Sequence, residues 1–119
     1  MKKAPNMKDK TIFHICSQSD WEAAKRAGFY TQFSHKSDDQ FIHFSTKSQV
    51  MGSLELFFAG REDLVLLSVQ TASLGEALLW ERIPDGRIFP HLYSDLSLHN
   101  VDTAVVLPLD GEGRHVLPW

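Results

Sequence analysis

The segment DLVLLSV, residues 63–69, restricts the fold of this chain more than any other part of the sequence. It is almost entirely aliphatic, and it is bounded by polar and turn-forming residues, which is typical of a fully buried strand. No apolar run in the chain approaches the roughly 18 residues that a membrane span requires. We therefore predict a buried strand here and no association with a membrane.

The first third of the sequence contains the signals of a strand followed by a helix. TIFHIC, residues 11–16, is rich in β-branched and aromatic side chains and predicts a strand. In the SDWEAAKRAG segment, Ser19 is the predicted N-cap, Glu22 its capping-box partner and Gly28 the C-terminal stop. A helix with both ends marked is therefore expected.

A second helix is predicted from the pair Thr46 and Gln49, which has the spacing of another capping box. It should run over residues 47–58 and end before Gly60. The N–H groups at the start of a helix favour an anion. We therefore expect an anionic group to bind at this helix start.

The remaining segments favour strands and loops. EALLWER (76–82) predicts a strand or a helical turn, residues 83–100 a long loop around IFPHLY, and VDTAVVLPL (101–109) a strand that Pro108 ends. Strands outnumber helices, and both helices fall early. The fold class is therefore α+β, a small single domain with a curved, mostly antiparallel sheet and two helices.

The length of 119 residues is that of about one domain. Residues 1–10 are charged and have no apolar period, so they are predicted to be a flexible tail. The domain should span 11–109, with a C-terminal tail over 110–119. The first ten residues lead into no apolar segment, which argues against a signal peptide.

Composition excludes some classes of partner. The net charge is −3, and no basic cluster offers the positive field that nucleic acid requires. Cys16 has no second cysteine to pair with, so we interpret it as a buried thiol in a reducing compartment. A cytoplasmic protein is expected, and the sequence leaves its oligomeric state open.

Three of the six histidines, His14, His43 and His91, lie in hydrophobic segments that should be ordered. A buried imidazole needs a hydrogen-bond partner, because leaving it without one costs a few kcal/mol, about 1–3. Each one alone is best explained as a structural residue. Three of them, with hydroxyl residues nearby, favour a shared pocket, so we take them as candidate catalytic residues. His35, His99 and His115 lie in polar or terminal segments and should be outside it.

The candidate ligand-binding residues come from the segments around these histidines. Alternation in FIHFS places His43 and Ser45 on one face of a strand, and an extended FPHLY places His91 and Tyr93 on one face. The alternative for FPHLY is an ordinary packed loop. These segments contribute Ser45, Thr46 and Tyr93, and the separate WER triplet at 80–82 adds Trp80 and Glu81.

Several chemistries lack their sequence motifs. The chain has no H-E-x-x-H metal motif, no G-x-S-x-G elbow and no Walker loop. HFS supplies one H-x-[ST] motif of a two-histidine phosphoesterase, but His91 is followed by leucine and tyrosine. We therefore expect no metal and no tightly bound cofactor.

The segments FIHFSTKSQV, GFY, WER and FPHLY together resemble the bacterial family known as domain of unknown function 952 (DUF952), over most of residues 11–107. Ser94 is a departure, because the family usually has glycine after the tyrosine, and the turn after Tyr93 is expected to differ. The biochemical role of the family is not established, so this resemblance implies a fold more than an activity.

IFHI, the following helix and AGFY are similar to the opening of ADP-ribosyltransferase-type folds, and IHFS is similar to the H-x-S strand of the RNA 2′-phosphotransferase branch. This similarity implies an ADP-ribosyltransferase-like fold with His14 at the nicotinamide-side ribose. Tyr30 would stack on the ligand, and His43 with Ser45 would hold the other side of the cleft. Glu81 is the candidate for the acidic residue that activates the acceptor.

Two hypotheses therefore stand. The first is an enzyme, a transferase or hydrolase, that uses NAD or an ADP-ribose-like nucleotide as its substrate. The second is a non-catalytic module that binds a small anionic ligand in the same pocket. The sequence alone does not separate them.

Overall fold

The computed structural model describes residues 9–31 and 40–119. Within these residues the chain forms eight strands, two α-helices and short 3-10 turns. In chain order the strands and helices are β1 (Thr11–Ser17), α1 (Gln18–Ala27), β2 (Phe29–Tyr30), β3 (Ile42–His43), α2 (Val50–Phe57), β4 (Leu64–Gln70), β5 (Leu78–Arg82), β6 (Ile88–Leu92), β7 (Leu96–Ser97) and β8 (Val101–Leu107).

The strands pair in three antiparallel groups. β4 lies between β1 and β8, β6 lies between β3 and β5, and β2 pairs with β7. The α+β class with two helices is confirmed, but the single curved sheet is wrong. β3 ends at His43. The residues that follow it meet β1 at one isolated bridge, where Phe13 and Ser45 exchange backbone hydrogen bonds of 2.8 and 2.7 Å.

β4 is the buried strand that the apolar segment predicts. Its residues from Leu64 to Val69 are all buried. Val65 and Leu67 pack in one core cluster, whereas Leu64 and Leu66 pack in a second cluster with residues of α2. Because alternate side chains of a strand point to opposite faces, a strand covered on both faces needs apolar residues at successive positions, as in residues 64–67.

α1 forms as predicted, except at its first residue. Its N-cap is Ser17 rather than Ser19, and the Ser17 hydroxyl accepts the Asp20 N–H at 3.0 Å. Glu22 forms an ion pair with Lys25 at 2.9 Å instead of reaching back to a cap. Both serines stand before polar residues, so sequence spacing could not separate the two positions. Gly28 ends the helix with a φ of 92°, a conformation that favours glycine.

The second helix is confirmed, with a 3-10 first turn over Lys47–Gln49 before α2. The Gln49 side-chain oxygen accepts the Thr46 N–H at 3.0 Å, as expected for a capping box. Segment 76–82 contains both predicted alternatives, because a 3-10 turn at Gly75–Ala77 leads into β5. β8 ends at Leu107, just before Pro108, as predicted.

The long loop predicted over residues 83–100 is wrong, since this segment contains β6 and β7. β6 is the central strand of its sheet although it contains Pro90, which has no N–H to donate. The Pro90 carbonyl still accepts the Phe44 N–H at 3.0 Å. The short β3 pairs only with Leu92 and His91, so the proline interrupts no long ladder on that side.

The predicted N-terminal tail, 1–10, lies largely outside the described residues, and its last residue, Lys10, accepts the Thr71 N–H at 2.8 Å through its carbonyl. Residues 110–119, predicted to be a C-terminal tail, fold back onto the domain. His115 is buried, and the ring of Trp119 lies 4.9 Å from that of Phe13.

Candidate functional site

A cleft of about 780 Å³ opens where β1, β3 and β6 come together. It is lined by His14 from β1, His43 from β3 and His91 from β6. His43 lies directly opposite His91 in the β3–β6 pairing, and the two rings are 5.4 Å apart. The structure therefore brings the three histidines to one cleft, as the shared-pocket hypothesis requires.

His14 is held in one orientation by the backbone of the neighbouring strand. Its side chain is buried, at 4% exposure, and its Nδ1 donates to the His43 carbonyl at 2.6 Å. A carbonyl can only accept, so Nδ1 carries a proton, and in the neutral form of the ring Nε2 is an acceptor. Tyr30 meets the ring edge-on at 4.9 Å, and Phe44 lies 5.6 Å away.

His91 belongs to a hydrogen-bonded group with Glu81 and Tyr93. Its Nδ1 donates to Glu81 Oε1 at 2.8 Å, and the Tyr93 hydroxyl donates to the same oxygen at 2.6 Å. Phe41 stacks on the imidazole with ring centroids 4.0 Å apart. We call His91, Glu81 and Tyr93 the imidazole–carboxylate group.

Sheet register explains how this group forms. Glu81 lies opposite Phe89, and Leu79 lies opposite His91, so Glu81 and His91 are diagonal neighbours on one face of the sheet. The Tyr93 hydroxyl first, and the His91 ring second, hold the pKa of Glu81 below its ordinary value. The carboxylate is therefore ionised at neutral pH, and it orients the His91 ring towards the cleft wall.

The remaining candidate residues divide between the cleft and the core. Tyr30 and Ser45 line the cleft, and Ser45 Oγ lies 2.9 Å from Ser53 Oγ. Thr46 is completely buried and Trp80 packs against the core cluster, so the structure does not place either side chain on the cleft wall.

At the start of the second helix, where we expect an anion to bind, one of the backbone N–H donors is already bonded within the protein. The Thr46 N–H is bonded to Gln49 within the capping box, and Thr46 has no exposed surface. Anion binding there stays a prediction, with fewer donors than the sequence indicates.

Cys16 also lines the cleft, but it is not an activated nucleophile. Burial first, and the charge of Asp20 second, raise the pKa of its thiol to about 12. A thiol rather than a thiolate is present at neutral pH, which agrees with the predicted buried thiol.

The other histidines lie elsewhere or outside the described residues. His99 is exposed in a 3-10 turn, and His115 Nε2 donates to the Arg61 carbonyl at 2.8 Å. His35 lies outside the described residues. In residues 9–31 and 40–119, no group of histidine, cysteine, aspartate or glutamate side chains could hold a metal ion.

Sequence reasoning missed Arg61 and Arg87, which line the same cleft. Arg61 comes from the turn after α2, and Arg87 comes from the turn between β5 and β6. An aspartate two residues away from each arginine was the available signal, but that pattern is common on protein surfaces. Only the fold brings these two turns to one cleft.

A model of the family described as "Protein of unknown function (DUF952)" matches residues 15–104. The chain belongs to this family. The family resemblance inferred from FIHFS and FPHLY is therefore confirmed, while the description of the family names no activity. No curated protein matches the chain.

Solved structures of one relative share the fold of this DUF952 chain. The crystal structure of protein CC0527 from Caulobacter crescentus is 37% identical, with 90% of this chain and 94% of that chain covered, and a TM-score of 0.80. Its solution NMR structure is also 37% identical, covers 87% and 90% of the two chains, and has a TM-score of 0.76.

These matches lend no support to the ADP-ribosyltransferase-like part of the fold prediction. In the described part of the chain, no helix is long and apolar enough to cross a bilayer.

Proposed function

We propose that the histidine-lined cleft binds NAD or an ADP-ribose-like nucleotide and that the protein is an enzyme with His91 as its general acid–base residue. The observation that carries this proposal is the imidazole–carboxylate group beside His14 and His43. A cleft of about 780 Å³ has the size of the pockets that enclose small ligands.

The geometry of His91 supports its role in proton transfer. A general base needs a fixed ring orientation and a partner that stabilises the charged form, and the Glu81 carboxylate at 2.8 Å supplies both. When a water or an acceptor hydroxyl attacks the ribose carbon, His91 would take its proton. The bond to nicotinamide then breaks, and its electron pair returns to the pyridine ring, which leaves as a neutral molecule.

His14 and His43 would position the ligand rather than take the proton. Nδ1 of His14 donates to a carbonyl at 2.6 Å, and in the neutral form of the ring Nε2 would accept a hydrogen bond from a ribose hydroxyl. His43 is exposed at the cleft and adjoins His91, so it would contact the ligand on the same side as His91.

A second candidate function, binding without turnover, is favoured by the position of the acidic residues. The carboxylates that line the cleft are Asp20 and Asp63. Glu81 is not among the residues that line it, and its carboxylate is bonded to His91 and Tyr93. A carboxylate occupied in this way is poorly placed to activate an acceptor directly. The same cleft would then sense a nucleotide without transforming it.

Thermal denaturation with NAD, ADP-ribose and adenosine, followed by chromatography for nicotinamide release, tests both candidates. We expect ADP-ribose to raise the melting temperature and NAD to be consumed. His91→Gln should lower turnover about a hundredfold or more, whereas His99→Gln, an exposed histidine away from the cleft, should not.

Two outcomes would count against the enzyme. Binding of ADP-ribose with no nicotinamide release would select the binding module. A melting temperature unchanged by all nucleotides would overturn the proposal for this ligand class.

A further inference from the structure

Two arginines line the cleft from separate turns, and neither belongs to the histidine cluster. Arg61 lies between α2 and β4, and Arg87 lies in the turn between β5 and β6. Each is paired with an aspartate two residues away and lies over a phenylalanine ring. This repeated arrangement is the basis of the inference.

The Arg61 guanidinium is held by a two-point contact. Its Nε donates to one oxygen of Asp63 at 3.2 Å and its Nη2 to the other at 3.0 Å, and its Cζ lies 5.8 Å from the Phe58 ring centre. The backbone at this position is fixed as well, because buried His115 donates to the Arg61 carbonyl at 2.8 Å.

Arg87 is held in the same way within a tight hairpin turn. Its Nε donates to Asp85 at 2.8 Å, its Nη2 lies 2.6 Å from the same carboxylate, and its Cζ lies 5.2 Å from the Phe89 ring centre. Gly86, at a φ of 97°, allows this turn, and the Ile83 N–H bonds to the Arg87 carbonyl at 2.8 Å. Both guanidinium groups are therefore oriented in advance.

A guanidinium has five N–H donors, and the aspartate contact uses two of them in each arginine. The remaining donors suit the planar recognition of a phosphate or carboxylate. We infer that Arg61 and Arg87 form a subsite for the oxyanion group of the ligand, such as the pyrophosphate of an ADP-ribose-like nucleotide. This inference deepens the proposed function and rests on it for the identity of the complete ligand.

The charges of the cleft restrict what this subsite can bind. Asp20 and Asp63 line the cleft together with the two arginines, and Asp85 is paired with Arg87, so the cleft carries no excess of positive charge. Recognition must then come from the geometry of the guanidinium donors and not from a strong positive field. A compact oxyanion on a small molecule fits this balance better than a long polyanion.

Isothermal titration of the full chain with inorganic pyrophosphate and with malonate tests the subsite without assuming a nucleotide. We expect one of them to bind the wild-type protein, and Arg61→Gln and Arg87→Gln each to weaken binding about tenfold. Preference for pyrophosphate identifies a phosphate ligand, and preference for malonate identifies a carboxylate ligand.

Arg26→Gln is the matched control, because this arginine is exposed in the last turn of α1 and changes the net charge equally. The two test variants should fold, since exposed ion pairs contribute little stability; circular dichroism checks this. Absence of binding to both anions, unchanged affinity in either arginine variant, or an equal loss in the control overturns the inference.

The same variants separate this inference from the proposed function. If ADP-ribose binds the wild type and both arginine variants equally, the subsite is wrong while the nucleotide proposal stands. If pyrophosphate binding depends on both arginines but no nucleotide binds, the subsite stands and the proposed function is wrong.

Discussion

The β1–β4–β8 sheet and the β3–β6–β5 sheet use their residues in different ways. In β4, every side chain from Leu64 to Val69 is buried, and the aliphatic ones pack in core clusters on both faces of the strand. In the second sheet, one face packs into the core through Ile42 and Leu92, while the other presents His43, Glu81 and His91.

This difference shows how a chain of this size supports a polar site. The first sheet supplies a core that does not depend on the site, because its stabilisation comes from buried aliphatic surface. The second sheet is anchored by one face only, so its other face is available for histidines and a carboxylate. Substitutions of the aliphatic residues of β4 should therefore affect stability, whereas substitutions on the open face of the second sheet should affect ligand binding.

The largest effect is expected for Leu67→Ala in β4. Leu67 is completely buried, and removing its side chain leaves a cavity that should lower the free energy of unfolding by about 2 to 5 kcal/mol. Urea denaturation measures this loss. Leu79→Ala is the control, because Leu79 is 45% exposed on the second sheet. An equal loss in both variants would mean that the two sheets do not differ as described.

His43→Ala should have a smaller effect, and on affinity more than on stability. The residue is exposed and its ring contacts those of Phe41 and His91, and for such an exposed side chain we expect the free energy of unfolding to fall by less than about 1 kcal/mol. Affinity for ADP-ribose should drop about tenfold, or about 1.4 kcal/mol.

The melting temperature and the dissociation constant of the His43 variant together show whether this imidazole contributes to ligand binding or to stability, with His99→Ala as the control. A large fall in melting temperature with unchanged affinity per folded molecule would mean that this imidazole serves only to hold β3 in place.

Glu81→Gln should have the smallest effect, and the effect should depend on pH. The pKa of Glu81 lies below its ordinary value of 4.5 because Tyr93, and then His91, donate to the ionised carboxylate in the folded state. The folded pKa is depressed, so this stabilisation is present above pH 4.5 and is lost as the pH falls through the folded value. The side chain is 36% exposed, so about 0.5 kcal/mol is expected.

Urea denaturation of the wild type and the Glu81 variant, from neutral pH to below 4.5, measures this contribution. Their stabilities should differ at neutral pH and converge in acid. Glu76→Gln, a change at an exposed glutamate before β5, is the matched control. A difference that persists undiminished once the carboxylate is protonated, well below pH 4.5, would contradict the assigned hydrogen bonds.

Features that depend on local chemistry were predictable from the sequence. The aliphatic run of β4, the capping box of Thr46 with Gln49 and the glycine stop at Gly28 each act within a few residues, and each formed where predicted. The shift of the first helix cap from Ser19 to Ser17 shows the limit of this approach. Two hydroxyls in one short segment have the same local pattern.

The loop prediction around Pro90 is wrong because strand pairing in the folded protein outweighs the local preference of proline for loops. Pro90 favoured a loop over residues 83–100, but the short β3 leaves the proline nitrogen of β6 without a long ladder to interrupt. The sequence of β6 contains no information about the length of its partner strand.

The sequence by itself indicated that each of three ordered histidines would need a hydrogen-bond partner or a position facing a cleft, because a buried imidazole without a hydrogen bond is costly. It also determined which residues share a face in FIHFS and FPHLY, since alternation is a local property of strands. Only the tertiary structure decided that His14 bonds to the His43 carbonyl, that Glu81 reaches His91, and that Arg61 and Arg87 meet one cleft. Those contacts join segments far apart in the chain, and their formation depends on strand register and packing, which no local pattern specifies.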